Sequence, residues 1–249
     1  MTDSVMTSIG AGIAVVEMRR PPANFFDEVL LTDLADVVTG LDKDDQVRCI
    51  VLCSQGKHFC AGADLRDMTA AGIRRVYAQA LRLFSGSRPI VAAVQGAAVG
   101  GGLGLALTAD FRTGTPQTRF AANFARLGFH HGFGLSVTLP AAVGQQRARE
   151  MLYAGRVVHG SEALAAGLCD RLSETDPREA AAELATEIAQ AAPLAVRAIR
   201  ATMRGRLAAQ ASAALDAEAE AQTALLGTAD FREGIEAARN RRDPVFTGR

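Results

Sequence analysis

The stretch VQGAAVGGGLGLALTAD, residues 94–110, joins small and apolar residues to three consecutive glycines and ends on an acid. Glycine leaves a backbone with no Cβ to hold other atoms away. The residues after the triplet, 103–108, are helix-compatible, so the run reads as a buried strand, a glycine-rich turn and the opening of a helix. Such a helix start turns unbonded N–H groups and the positive end of its dipole toward whatever lies in front of the turn. Asp110 cannot stay ionised in an apolar core without partners, and local backbone groups at the end of that helix are expected to satisfy it.

The same organisation appears upstream. VRCIVLC (47–53) reads as a buried strand running into the loop SQGKHFCAGADL (54–65), just as SRPIVAAVQG (87–96) runs into the triplet. Before them, GIAVVEM (12–18) is β-rich and stops at the turn chemistry of RRPPAN (19–24). A helix is expected over about residues 27–41, with Leu30, Leu34, Val37, Val38 and Leu41 on one side. FRTGTPQTRFAA (111–122) supplies short extended pieces. Repeated strand, glycine loop and helix units favour an α/β fold whose strands are mostly parallel and buried on both faces.

From Pro193 the composition shifts to Ala, Arg, Leu and Glu at helical spacing, which predicts two or three helices and no further sheet. The expected organisation is a core over 1–192 and a helical region over 193–249 that covers a neighbouring subunit.

Composition narrows the function. Lys plus Arg and Asp plus Glu number 27 each, so no basic field exists to collect nucleic acid or an anionic membrane. The start, MTDSVMTSIG, has no basic or apolar leader, and no apolar run is long enough to span a bilayer, so a soluble cytoplasmic protein is expected. Cys49, Cys53, Cys60 and Cys169 lack paired zinc-like spacing and are expected as small core residues, with no metal.

Each glycine loop follows a buried strand and opens where a crevice forms at strand ends. Two such loops can each be a tight turn. As a pair they can also aim two backbone donors at one developing negative charge, an oxyanion hole.

Three segments, GKHFCAGADL (56–65), VAAVQGAAVGGGLGLALTADFR (91–112) and FREGIEAARNRRDPVF (231–246), resemble hallmark segments of the crotonase, or enoyl-CoA hydratase/isomerase, superfamily. RPPAN and ARLGF (125–129) fit the same template, so the resemblance covers nearly the whole chain. It implies a crotonase-like spiral of β-β-α repeats with a C-terminal helical trimerisation region, assembled as a homotrimer or a hexamer (dimer of trimers). It implies an acyl-CoA thioester as ligand, with coenzyme A present as part of the substrate and no covalently bound cofactor. The implied oxyanion donors are the N–H groups of Ala63 and Gly101. Ala61, Asp64 and Leu65 would line the adenine end of CoA, Arg20 would approach its phosphates, and Arg241 would reach the CoA of an adjacent subunit or remain a solvated helix charge. Ala238 stands where relatives carry a phenylalanine over the adenosine.

The sequence departs from the template at the chemistry. The two glutamates of the hydratases fall on Gly104 and Phe124, and the aspartate of the dehalogenase and dienoyl isomerase branches falls on Gly132. Adding water across a double bond needs an acid and a base, and none of these residues can supply either. His130 and His131, near Asn123 and Arg126, are the nearest groups that titrate around neutrality, with His131 placed ahead. His58 is expected as loop structure. Asp67, Arg74, Arg75 and Tyr77 belong on or near a helix beside the acyl pocket, with Tyr77 foremost as a substrate contact.

The expectation is therefore a crotonase-family lyase, isomerase or hydrolase that polarises a thioester through Ala63 and Gly101. Gly104, Phe124, Tyr77 and Asn123 would form its acyl pocket. The alternatives are a non-catalytic acyl-CoA binding protein, and an acyl-CoA hydrolase or decarboxylase using His130 or His131.

Overall fold

The computed structural model of the chain describes residues 4–65 and 68–249. Strands β1 (Val5–Gly10) and β2 (Ile13–Met18) form an antiparallel hairpin. Helix α1 (Glu28–Asp42) comes next, one residue inside the expected start, because the Asp27 carboxylate accepts from the Leu30 N–H at 2.8 Å and caps the helix. Then come β3 (Cys49–Ser54), α2 (Ala70–Phe84) and β4 (Ile90–Ala93), with β2, β3 and β4 paired in parallel.

The chain continues through β5 (Ala97–Val99), α3 (Gly101–Thr108), β6 (Phe111–Gly114), β7 (Arg119–Ala121) and a 3-10 turn at Asn123–Leu127. Helices α4 (Leu135–Val143) and α5 (Gln145–Ala154) precede β8 (Val157–His159), α6 (Gly160–Ala166), β9 (Arg171–Leu172) and α7 (Pro177–Gln190). The tail consists of two helices, α8 (Pro193–Leu225) and α9 (Ala229–Asn240).

The strands form a six-stranded sheet in the order β1-β2-β3-β4-β6-β9 and a three-stranded sheet in the order β5-β7-β8. The apolar run that enters the glycine triplet is therefore two strands in two sheets. The chain leaves the first sheet after Ala93 and enters the second at Ala97, the transfer falling across Val94, Gln95 and Gly96.

Strand β3 shows why its sequence is apolar without alternation. Ile50 and Leu52 face the main core with Leu30, Leu34 and Phe84. Cys49, Val51 and Cys53 face the other way with Val91 and Ala93, under Ala181, Leu184 and Ala185 of α7. Helices on both faces leave no polar side for the strand. The four cysteines are free thiols in buried positions. No helix among the described residues is long and apolar enough to cross a membrane, and no His, Cys, Asp and Glu cluster among them could hold a metal ion.

Asp110 finds its partners far along the chain. One carboxylate oxygen accepts from the Ile90 N–H and from Arg200 Nε, both at 2.8 Å, and the other lies 3.3 Å from Arg204 Nη1. Arg204 also donates to the carbonyls of Ala109 and Thr108 at 2.7 and 3.0 Å, so it caps the C-terminal end of α3, where a cation opposes the dipole favourably. The expected local satisfaction of Asp110 is corrected accordingly: its two charge partners come from α8. Arg200 is 92 % buried, so removing the acid strands a buried charge. Asp110→Ala is expected to cost about 3–5 kcal/mol in urea unfolding, and Asp110→Asn, which keeps an acceptor for the Ile90 amide, less.

Candidate functional site

The two glycine loops meet backbone to backbone. Cys60 N–H donates to the Ala97 carbonyl at 3.2 Å and its own carbonyl accepts from Val99 N–H at 3.0 Å, while Phe26 N–H donates to Gly62 O at 2.9 Å. The turns require positive φ at Gly62 (+99°) and Gly100 (+57°), conformations that L side chains strain to adopt. The triplet therefore has three separate reasons. Gly100 supplies the left-handed turn, a Cβ at Gly101 would lie 2.6 Å from Phe26 Cζ, and a Cβ at Gly102 would strike the Cys60 carbonyl.

Asn24 of the RPPAN turn is fully buried and locks the first loop. Its Nδ2 donates to the carbonyls of Gln55 and His58 at 2.8 and 2.7 Å, and its Oδ1 accepts from Arg20 N–H at 2.8 Å.

Around the junction most amides are used: Ala61 N–H goes to Ala23 O at 2.9 Å and Gly100 N–H to Ala121 O at 2.8 Å. Neither the Ala63 N–H nor the Gly101 N–H has an acceptor among the described residues. Gly101 is the first residue of α3, so its free amide carries the positive end of that helix. Both residues line one narrow pocket of about 50 Å³ together with Phe26, Leu65, Ile73, Phe124 and Phe133. Ile73, Val76 and Tyr77 reach it from one face of α2, at helical spacing.

The positions that could have carried carboxylates are filled by packing. A Cβ at Gly104 would lie 2.5 Å from Phe133 Cβ, so Phe133 occupies that space. Phe124 lines the pocket and is buried, and beside it Asn123 contributes a polar group. A Cβ at Gly132 would collide with Tyr77 Oη. Among the described residues lining the pocket there is no carboxylate.

His130 and His131 are not brought into the pocket lining. Their rings stack at 4.1 Å, with His130 Nδ1 2.7 Å from the His131 carbonyl and His131 Nε2 2.9 Å from Ser136 Oγ. Burial, then the neighbouring His130, push His131 down to about 4, so its ring is neutral at pH 7. Arg126 is exposed and donates to the Ala154 carbonyl at 2.9 Å.

Of the residues assigned to CoA, one is in the pocket lining. Leu65 lines the pocket, Ala61 is half-buried and Asp64 exposed. Arg20 is ion-paired to Asp27 at 2.7 Å, and Arg241 is exposed at the C-terminal end of α9, as is Ala238 in its last turn. His58 sits in the first loop with its ring nitrogen Nδ1 buried, and burial lowers its pKa. Arg75 pairs with Glu28 at 2.5 Å and Arg74 is exposed, whereas Asp67 lies outside the described residues.

Sequence reasoning missed the contribution of α8. Glu218, 1 % exposed, accepts from Gly134 N–H at 2.7 Å and Ser136 N–H at 2.9 Å. It thereby supplies the anion that α4, whose N-cap Gly134 has no side chain, needs at its N-terminus. Burial pushes the Glu218 carboxyl up, against those two amides. One turn later Gln222 accepts from Tyr77 Oη at 2.8 Å and donates to the His130 carbonyl at 3.0 Å. The i, i+4 spacing of Glu218 and Gln222 was the available signal, two polar residues on one face of an Ala-rich helix.

With this geometry in place, comparison with known proteins is specific. Residues 8–249 match the family model described as enoyl-CoA hydratase/isomerase. The chain is 31 % identical to a crotonyl-CoA hydratase of Syntrophomonas wolfei, over 94 % of each chain. It is 28 % identical to a 1,2-epoxyphenylacetyl-CoA isomerase of Escherichia coli, over the whole of both. The crystal structure of an enoyl-CoA hydratase/isomerase from Pseudoalteromonas atlantica superimposes with a TM-score of 0.89 at 30 % identity, covering 98 % of this chain and all of the other.

The histidine pair yields a pH signature. His131 has a folded value of about 4 against an ordinary 6.5, so the unfolded chain takes up its proton first on acidification. Its contribution to stability is complete above pH 6.5 and is lost as pH falls toward 4. Glu218, held above its ordinary 4.5, acts in the opposite sense, its contribution declining as pH rises past that value. Denaturant midpoints measured from pH 7 to pH 4 are expected to fall less steeply for His131→Asn than for the parent, a difference that isolates the imidazole from Glu218.

Proposed function

Because the chain belongs to the enoyl-CoA hydratase/isomerase family and has its crotonase fold, we propose that it acts on an acyl-CoA thioester by seating the thioester oxygen between the N–H groups of Ala63 and Gly101. The observation that carries this is the pair of unoccupied donors on the wall of one apolar pocket. Apolar walls exclude water, and in such surroundings two fixed donors strongly favour an enolate or tetrahedral anion over the neutral thioester. The CoA moiety enters as part of the substrate and leaves the pocket past Ala61, Asp64 and Leu65, with Arg20 and Arg241 as cationic groups for its phosphates. The exposed apolar side chains Leu194, Ile199 and Met203 on α8 suit a homotrimer, alone or as a dimer of trimers.

The reaction is not hydration through paired glutamates. Gly104 and Phe124 provide no proton carrier, and Phe133 fills the room a carboxylate at 104 would need. Chemistry that asks less of protein acids fits better: hydrolysis, decarboxylation, ring-opening or rearrangement of an already activated acyl group. His130 and His131 are tied to the 130–136 turn and take no direct part. The same lack of carboxylates also favours a second reading, an acyl-CoA carrier without turnover.

A panel of enoyl-, 3-hydroxy-, 3-oxo- and malonyl-type CoA thioesters separates the two readings, monitored by loss of enoyl absorbance and release of free thiol. Turnover of at least one panel member is expected, and Ala63→Pro, which deletes one donor, is expected to lower kcat by about 100- to 1000-fold. Binding with no turnover across the panel would establish the carrier. Gly104→Glu is expected to destabilise the protein without creating hydratase activity, since its Cβ collides with Phe133; thermal unfolding beside a crotonyl-CoA assay reads both.

A further inference from the structure

Phe26 touches the peptide units of both free amides. Its N–H donates to the Gly62 carbonyl at 2.9 Å, within an isolated parallel bridge between Phe26 and Ala63. The Cys60 thiol also approaches that carbonyl, as a weak donor at 3.8 Å. In a planar trans peptide the carbonyl and the following N–H point in opposite directions. A Gly62 carbonyl held by Phe26 therefore aims the Ala63 N–H away from the main chain of Phe26. The Gly101 N–H is aimed in the same manner from behind, because the Gly100 carbonyl accepts from the Leu103 and Gly104 amides at 3.0 and 3.3 Å.

The side chain of Phe26 meets the second peptide unit. A Cβ on Gly101 would lie 2.6 Å from Cζ and 2.9 Å from Cε1 of Phe26, so the ring edge rests where a side chain of residue 101 would stand. A Cβ on Gly62 would lie 3.5 Å from the Gly101 nitrogen, which sets the two glycine segments side by side. Glycine leaves such segments free to turn unless their surroundings stop them. At Gly62 the stop is the Phe26 amide, and at Gly101 the Phe26 ring adds to the helix bonds.

Phe26 is fixed in its turn from both sides. Asn24 is tied to the Gln55 and His58 carbonyls of the first loop, and Asp27 caps α1. The Phe26 ring is 3 % exposed and lies 5.2 Å from that of Phe133. A ring that only filled the core would need no main-chain bond to the first glycine loop, yet this residue has one.

We propose that Phe26 is a positioning residue for the pair of donors: its amide aims the Ala63 N–H, its ring holds Gly101, and the spacing between the two donors follows from this one residue. This rests on the reading of Ala63 and Gly101 as donors to a thioester oxygen.

The test uses the full-length protein saturated with butyryl-CoA labelled with carbon-13 at the thioester carbonyl, whose NMR shift reports how strongly the oxygen is hydrogen-bonded. The parent is expected to move that resonance downfield of the free ligand. Two variants probe the two contacts separately: Phe26→Leu, whose side chain ends short of Gly101, and replacement of Phe26 by 3-phenyllactic acid, which keeps the ring and puts an ester oxygen in place of the N–H. Each is expected to lose about half of the displacement, the share of one donor in two. Leu34→Ala, in the core and outside the pocket lining, is expected to lower the thermal midpoint and leave the displacement intact. A displacement unchanged in both Phe26 variants, or reduced as much by Leu34→Ala, would overturn the positioning role and leave the thioester reading standing. Bound butyryl-CoA with no displacement in the parent, or no binding at all, would overturn that reading and the positioning role with it. Either Phe26 variant decides the matter if the other does not fold.

Discussion

The structure depends on the direct approach of two stretches of main chain. The loop after β3 and the loop after β5 touch through the Cys60 carbonyl, the Val99 amide and the space over Gly102, with no side chain between them. That contact sets the amides of Ala63 and Gly101 on one pocket wall and leaves both without protein acceptors among the described residues. A donor that folding leaves unpaired is costly, and it persists because the surrounding ladder and the α3 terminus over-determine its position.

Helix α3 delivers one of those amides, and its other end is held by α8. Arg204 occupies the carbonyls of Thr108 and Ala109, and Arg200 pairs with Asp110. The same helix, roughly 20–30 Å further along by its rise of 1.5 Å per residue, sends Glu218 to the start of α4 and Gln222 to Tyr77. One continuous rod thus braces the back of α3 and furnishes Gln222 to the wall of the pocket. The buried charges on it are each matched by an ion pair or by backbone amides, the condition under which charge tolerates burial.

Three glycine or aromatic positions shape the pocket and its surroundings. At 104 the space goes to Phe133, at 124 a ring lines the cavity, and at 132 the hydroxyl of Tyr77 moves in. The space beside each is filled, as interior packing demands, by aromatic rings and one neutral polar pair.

Much of this is legible in the amino-acid order. The unbroken apolar runs around Ile50 and Val91 require strands covered on both faces, the glycines at 62 and 100–102 mark backbone brought close to something, and Gly104 and Phe124 exclude paired carboxylates. Such features are local, because periodicity, turn chemistry and the absence of a functional group are written within a few residues. Which partners meet across the fold is decided by tertiary structure alone. Local sequence puts Asp110 with its own helix end, yet it joins Arg200 and Arg204; it puts His130 and His131 on the pocket, yet they close a turn; of Glu218 and Gln222, inconspicuous in an alanine-rich helix, one holds the start of α4 and the other lines the pocket. A side chain's partner depends on where α8 crosses α2 and α4, and that crossing comes from burying whole helix faces, which no local stretch of sequence encodes.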